Sequence, residues 1–260
     1  MNSRETKTEF RALHEGEPFV IPNPWDAGSA RMLEELGFKA LATTSSGFAF
    51  TLGRADGDVT LDEVITHTAA LAQAVRVPVA VDLENGYGRS ADDAARAVRA
   101  AAEAGAAGGS IEDWDAATGI YRADEAAERV AAAAEAAAAS GFVLAARAEN
   151  FIRGNPDLDD TIARLQAYEA AGADVLYAPG IHTDDQIRAI CSAVGKPVNV
   201  LAFPGMKAAD IFAAGARRIS VGGQLTWVAA AAAAEAAVAI LDTGDFSALK
   251  ARLQGADWLR

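Results

Sequence analysis

The sequence predicts an α/β protein and, within that class, a (β/α)₈ barrel. Two observations carry the prediction. Short apolar or β-branched runs alternate with Ala/Glu/Arg-rich stretches of helical period along the whole chain. Glycines (Gly37, Gly105, Gly141, Gly172, Gly195 and Gly215) stand as stop signals between helical stretches and the runs that follow. In order, the strand candidates are 19–25, 40–45, 78–84, 108–113, 142–149, 174–179, 197–203 and 218–223. The helical candidates are 27–36, 61–75, 91–104, 122–140, 158–171, 183–194, 206–214 and 224–241, with a further short helix at 245–255. Eight such units in 260 residues match the size of a barrel. A doubly wound open sheet shares the alternation but usually carries a glycine-rich phosphate loop after its first strand. Here that strand runs into NPWDAGSA, with no G-x-G-x-x-G. The barrel is the better fit.

No linker or composition shift divides the chain, so residues 1–260 are expected to form one domain. The alanine tracts at 131–139 and 229–237 read as outer helices packed closely on the barrel, alanine being the best helix former. The longest connection, 46–60 (SGFAFTLGRADGDVT), falls where a barrel builds its active site.

Charge and cysteine content narrow the partners. A formal net charge of −13 with no basic run argues against nucleic acid or an anionic membrane surface, both of which require a basic footprint. A small anionic substrate stays open, because local cations override the global field. One cysteine, Cys191, rules out an intramolecular disulfide and suits a reducing cytoplasm. The N-terminal stretch is polar and unlike a secretory signal, and the apolar run 227–241 is shorter than a membrane span.

The chemistry concentrates at strand ends. The run 78–84 ends in Asp82 and Glu84, 108–113 in Glu112 and Asp113, and 142–149 in Arg147 and Glu149. Side chains two apart on a strand share a face, and neighbouring strands lie about 4.8 Å apart, so three to five carboxylates crowd one volume. Of Glu112 and Asp113, only one can point inward. Arg147 alone cannot offset that repulsion. A divalent cation can, and an all-oxygen donor set selects Mg²⁺ or Mn²⁺ over zinc. At the end of the second strand, TTSSGF (43–48) offers hydroxyls and backbone N–H groups to a carboxylate or oxyanion. SVGGQL (220–225) admits a phosphate-cradling reading at Gly222–Gly223, or a plain turn.

Other chemistries lack their residues. Lys7, Lys39, Lys196, Lys207 and Lys250 fall in the N-terminal tail, at N-terminal strand ends or on helices, so no Schiff-base lysine is expected. His14, His67 and His182 are too scattered for zinc and read as surface or helix residues. Cys191 reads as a buried structural thiol.

NPWDAGSARMLEELGF, TSSGF followed by ADG, VDLENGYG, SIEDWD and AARAENF resemble, in order, landmarks of the isocitrate lyase / phosphoenolpyruvate mutase superfamily. The resemblance runs from about Asn23 to Gly223. It implies a (β/α)₈ barrel, a homodimer or homotetramer with the eighth helix exchanged between subunits, and Mg²⁺-dependent chemistry on a small 2-oxo or 2-hydroxy acid. By position it implies that Ser46, Gly47 and Phe48 bind the substrate carboxylate, that Asp82, Glu84 and Glu112 form the metal shell, and that Arg147 holds substrate oxygens. Asp56 matches an acidic residue of the loop after the second strand. Ser45 and Asn199 join the substrate-binding candidates, and Asp56, Tyr121 or a metal-bound water the acid/base candidates. Two departures stand out. Glu84 replaces the usual Asp, and EDWDAATGIYR lacks the mobile K-[KR]-C-G-H loop of the carbon–carbon lyases. The expected function is a lyase cleaving or decarboxylating a di- or tricarboxylic acid. The alternatives are a phosphonate C–P mutase or hydrolase, and a 2-oxo acid binding protein without turnover.

Overall fold

The computed structural model describes residues 3–250. In chain order the strands are β1 (Phe19–Ile21), β2 (Leu41–Ala42), β3 (Val79–Asp82), β4 (Gly108–Glu112), β5 (Trp114–Asp115), β6 (Gly119–Ile120), β7 (Val143–Arg147), β8 (Val175–Tyr177), β9 (Val198–Leu201) and β10 (Arg218–Ser220). Eight of them form one parallel sheet in the order β1-β10-β9-β8-β7-β4-β3-β2. Its edges meet where the Ala42 N–H donates to the Pro22 carbonyl at 3.0 Å. The predicted barrel is the observed fold, and each predicted run supplies one wall strand.

The helices are α1 (Ser3–Glu15), α2 (Ala27–Glu35), α3 (Ser45–Thr51), α4 (Leu61–Ala74), α5 (Ala91–Glu103), α6 (Ala123–Ser140), α7 (Leu158–Ala170), α8 (Asp184–Ala193), α9 (Ala208–Ala213) and α10 (Gln224–Thr243). Capping explains many of the starts. Asp26, Thr44, Thr60, Ser90, Asp157 and Thr183 each accept the backbone N–H three residues on, which satisfies a donor the first turn leaves orphaned. Gly141 ends α6 in the left-handed conformation (φ 74°).

Two layers make the core. Between wall and outer helices lie Val81, Leu83, Ile111, Leu144, Leu165 and Leu176, with the alanines of α5 and α6 letting those helices approach closely. Inside the barrel, side chains are small: Ala40, Ala80 and Ala145, plus Gly108. The N-terminal end of the lumen is plugged instead by Phe10 of α1, fully buried among Phe19, Ile21 and Val143. A Cβ on Gly108 would lie 2.6 Å from that ring, so the glycine makes room for the plug.

Five expectations need correction. The polar N-terminal stretch is a helix rather than a tail, so His14 is the helix residue of the two options, buried, and the Lys7 ammonium donates to the Ala102 carbonyl at 3.3 Å. The long connection after β2 opens as α3, because Thr44 caps it. The segment after β4 folds into the β5–β6 hairpin. The second alanine tract does not pack on this barrel: α10 buries only Thr226. It runs for 20 residues, so on length and composition alone it is long and apolar enough to span a bilayer, which the shorter run 227–241 was not. The last predicted helix appears as a 3₁₀ turn at Ser247–Lys250, and its remainder lies outside the described residues.

Candidate active site

At the C-terminal ends of the strands a cavity of about 210 Å³ opens into the lumen. Ser45, Ser46, Asp56, Asp82, Arg147 and Asn199 line it, as do Thr43, Ser110, Tyr177, Arg218 and Ser220.

Arg147, at the end of β7, is the hub. Its guanidinium meets Asp82 Oδ1 at 3.0 Å, Glu112 Oε2 at 2.9 Å and Glu149 Oε1 at 2.9 Å. Burial works against the charge, yet Glu112, Glu149 and Asp82 hold its pKa well above the usual arginine value. Burial likewise pushes the Glu112 carboxyl up, opposed by Arg147. A second guanidinium, Arg153 from the loop after β7, reaches Glu112 at 3.4 Å and Glu149 at 3.3 Å and stacks on Trp114 of the hairpin. Of the neighbours Glu112 and Asp113, the first faces inward. Asp113 faces out and is taken by Arg164 and by the Tyr168 hydroxyl.

Asp82 accepts from the Ser45 N–H at 3.4 Å and lies within reach of the Ser110 hydroxyl at 3.5 Å. Glu84 sits beyond the strand end, in a turn where it and Tyr87 take φ of 46° and 57°. This left-handed backbone is uncommon outside glycine and is held by surrounding contacts. The Tyr87 hydroxyl donates to Glu84 Oε1 at 2.9 Å. Burial, then repulsion from Asp82, pushes the Glu84 carboxyl up to about 7. Asp56 lines the cavity from an exposed loop, and partial desolvation raises its pKa, with Ser45 beside it working the other way. Arg147 and Arg153 offset part of this charge, but Glu84 and Asp56 have no ion pair among the described residues, and the donors are all hard oxygens. That chemistry fits Mg²⁺ or Mn²⁺. Among the described residues no three acids converge as a direct ligand set, so such an ion would be held largely through water.

The structure separates some candidates from the cavity. Glu84 and Glu112 flank Asp82 without lining it. Gly47 is packed in: a Cβ there would lie 2.6 Å from both Thr226 Oγ1 and Thr44 Cγ2. Phe48 stacks on His67 at 3.8 Å. Tyr121 is buried away from the cavity, its hydroxyl accepting from Asn85 at 3.2 Å and its ring beneath Arg129. Asn199 does line the cavity. The residue-level reading missed Ser110, Tyr177 and Arg218, while Thr43 and Ser220 stand at the edges of the TTSSGF and SVGGQL segments without being singled out. All but Thr43 sit at alternate, inward positions of β4, β8 and β10, and that alternation was the available signal.

An eight-stranded barrel with a carboxylate-rich, arginine-centred site at its C-terminal rim defines a class of barrel enzymes. The phosphoenolpyruvate phosphomutase family profile matches residues 10–241, and the chain belongs to that family, within the isocitrate lyase / phosphoenolpyruvate mutase superfamily. It resembles the crystal structure of a protein of Burkholderia cenocepacia J2315, provisionally described as a lyase/mutase, with a TM-score of 0.94 and 48% identity over 98% of this chain and 95% of that one. It is 33% identical to oxaloacetate decarboxylase of a Bradyrhizobium species (strain BTAi1), over 85% of this chain and 79% of the relative. It is also 33% identical to 2-methylisocitrate lyase of Escherichia coli K12, over 73% of this chain and 67% of the relative.

Proposed function

We propose that this protein is a Mg²⁺-dependent lyase that decarboxylates or cleaves a 2-oxo or 2-hydroxy di- or tricarboxylic acid. The observation that carries the reading is Arg147, tied to Asp82, Glu112 and Glu149 and facing the cavity beside them. Relatives named oxaloacetate decarboxylase and 2-methylisocitrate lyase support the substrate class. Asp82, with Glu84 and Glu112 beside it, would hold the ion, which supplies a Lewis acid for the 2-oxo group. Arg147 binds the substrate's oxygens, and its three carboxylates fix its orientation before substrate arrives. Ser45 and Ser46, at the start of α3, bind the C1 carboxylate. In decarboxylation of a 2-oxo diacid the bond from C3 to its carboxyl carbon breaks, CO₂ leaves, the electron pair spreads toward the C2 oxygen and a proton must arrive at C3. In cleavage of a 2-hydroxy acid the C2 hydroxyl gives up its proton as the C2–C3 bond breaks, and the electron pair passes to C3 and the carboxylate on it until a proton arrives there. Asp56, lining the cavity with a raised pKa, is the proton carrier. Tyr121 lies too far from the cavity for that role.

The test is turnover by the purified protein of oxaloacetate, substituted malates, methylisocitrate, isocitrate and phosphonopyruvate, with Mg²⁺ and with chelator. We expect metal-dependent product from a diacid and loss of about 100-fold or more in Glu112→Gln, as for removal of a preorganised electrostatic group. Turnover that ignores both chelator and Glu112→Gln would sink the proposal. The pinned hairpin, in the place of the cysteine-bearing loop, favours a second reading, binding without turnover; calorimetric heat with no product would establish it.

The proposal extends to assembly: a homodimer or homotetramer in which α10 packs on a neighbouring copy. Its Trp227, Val228, Val238 and Leu241 are exposed, as are Phe246 and Leu249 beyond it.

A further inference from the structure

Arg218 opens β10, directly in register with Asn199 on β9. It is 7% exposed and lines the cavity from the barrel interior. Its Nε donates to Asn199 Oδ1 at 2.8 Å, and its Nη1 meets His14 Nε2 at 3.2 Å. His14 Nδ1 lies 2.8 Å from the Phe10 carbonyl, which makes Nδ1 the protonated nitrogen and leaves Nε2 to accept from the arginine. Two neutral acceptors therefore aim this guanidinium. No carboxylate pairs with it, and Nη2 has no partner among the described residues. Burial without a counter-anion lowers its pKa to about 10. Arg147, by contrast, has three acids. The two arginines stand three strands apart on an eight-stranded wall, so they face each other across the lumen, with Tyr177 of β8 between them. The small lining residues Ala42 and Ala80 leave the space between them open.

An unpaired buried cation is costly unless something supplies its anion. We propose that Arg218, aimed by Asn199 and His14, binds the distal carboxylate of the substrate, so that the site selects diacids over monoacids. The assignment rests on the proposed 2-oxo/2-hydroxy acid chemistry and adds the specificity residue to it. In this arrangement the metal-shell end of the cavity reads the C1–C2 portion, and the barrel interior reads the far end.

The test compares malate with lactate, which lacks only the distal carboxylate, and phosphonopyruvate with pyruvate. Binding to the full-length protein with Mg²⁺ is followed by calorimetry and thermal shift. Arg218→Met should weaken malate binding about 10- to 100-fold, as expected for loss of a charged hydrogen bond, and leave lactate unchanged. Without ligand, it should unfold at the same or a higher temperature than wild type, since it removes an unpaired charge. Asn199→Asp, which supplies an internal carboxylate to Nε, should abolish the preference for malate with the arginine still present, and decides the matter if Arg218→Met does not fold. Unchanged malate binding in folded variants, or equal loss for malate and lactate, overturns the assignment. Arg218-dependence of phosphonopyruvate alone overturns it in favour of a phosphonate. If wild type binds none of the four acids, the underlying reading fails and the assignment fails with it.

Discussion

His67 and Gly47 show how single residues hold the rim of this site. His67 stacks on Phe48 with its Nε2 buried and unpartnered, and burial lowers its pKa to about 4, with Asp26 opposing. His14, buried beside Arg218, is lowered to about 3. Both stay neutral in the fold, whereas in the unfolded chain they take up protons below about pH 6.5. The unfolded state therefore binds more protons below that pH, so stability is full above it and falls as pH drops toward 4. Because the Glu84 carboxyl, raised to about 7 in the fold, contributes with the opposite sign over the same range, the loss is read as the difference between wild type and His67→Phe in denaturant titrations at pH 7.5, 6 and 5, each fully expressed pKa unit being worth about 1.4 kcal/mol. His67→Phe keeps the stack, removes the orphan nitrogen and should flatten the pH dependence. Gly47→Ala drives a methyl into Thr226 and Thr44 and should cost about 1–3 kcal/mol by thermal unfolding, as overpacking does.

At the scale of elements, α1 is where expectation and structure part most. The stretch 3–15 is strongly polar, and what marks it as a core element is one ring, Phe10, whose partners on β1, β4 and β7 lie elsewhere in the chain. Phe10→Ala should destabilise by about 3–5 kcal/mol in chemical denaturation, the range for emptying a buried aromatic site. The wall strands, by contrast, were legible from local pattern: buried parallel strands are short continuous apolar runs, and each was bounded by a glycine or proline. α3 escaped because seven residues are too few to show a period. The site was legible where charge breaks an apolar run, as at Asp82, Glu112 and Arg147. Arg218 was not, since its lack of a counter-ion depends on every strand around it. The outward turn of Asp113 was legible as one of two options, and the fold chose between them through Arg164 and Tyr168.

For the whole molecule, the open question is what covers α10. A 20-residue helix that buries only Thr226 exposes apolar surface of the sort that marks an interaction site. Sedimentation equilibrium should give a dimer or tetramer. Leu241→Glu combined with Val238→Glu should shift it toward monomer, while leaving the barrel's far-UV dichroism unchanged. The β5–β6 hairpin bears on the reaction as a whole. Asp115 closes its turn by accepting the Ala117 and Thr118 N–H groups, Asn85 donates to Asp115 Oδ2 at 3.2 Å from the loop after β3, and Trp114 is clamped under Arg153. We expect a rim fastened in this way to leave its side of the cavity open to water. Chemistry that passes a group between two carbons needs a sealed chamber. An unsealed one suits a reaction whose last event is quenching by solvent, so product made in D₂O should carry deuterium at C3.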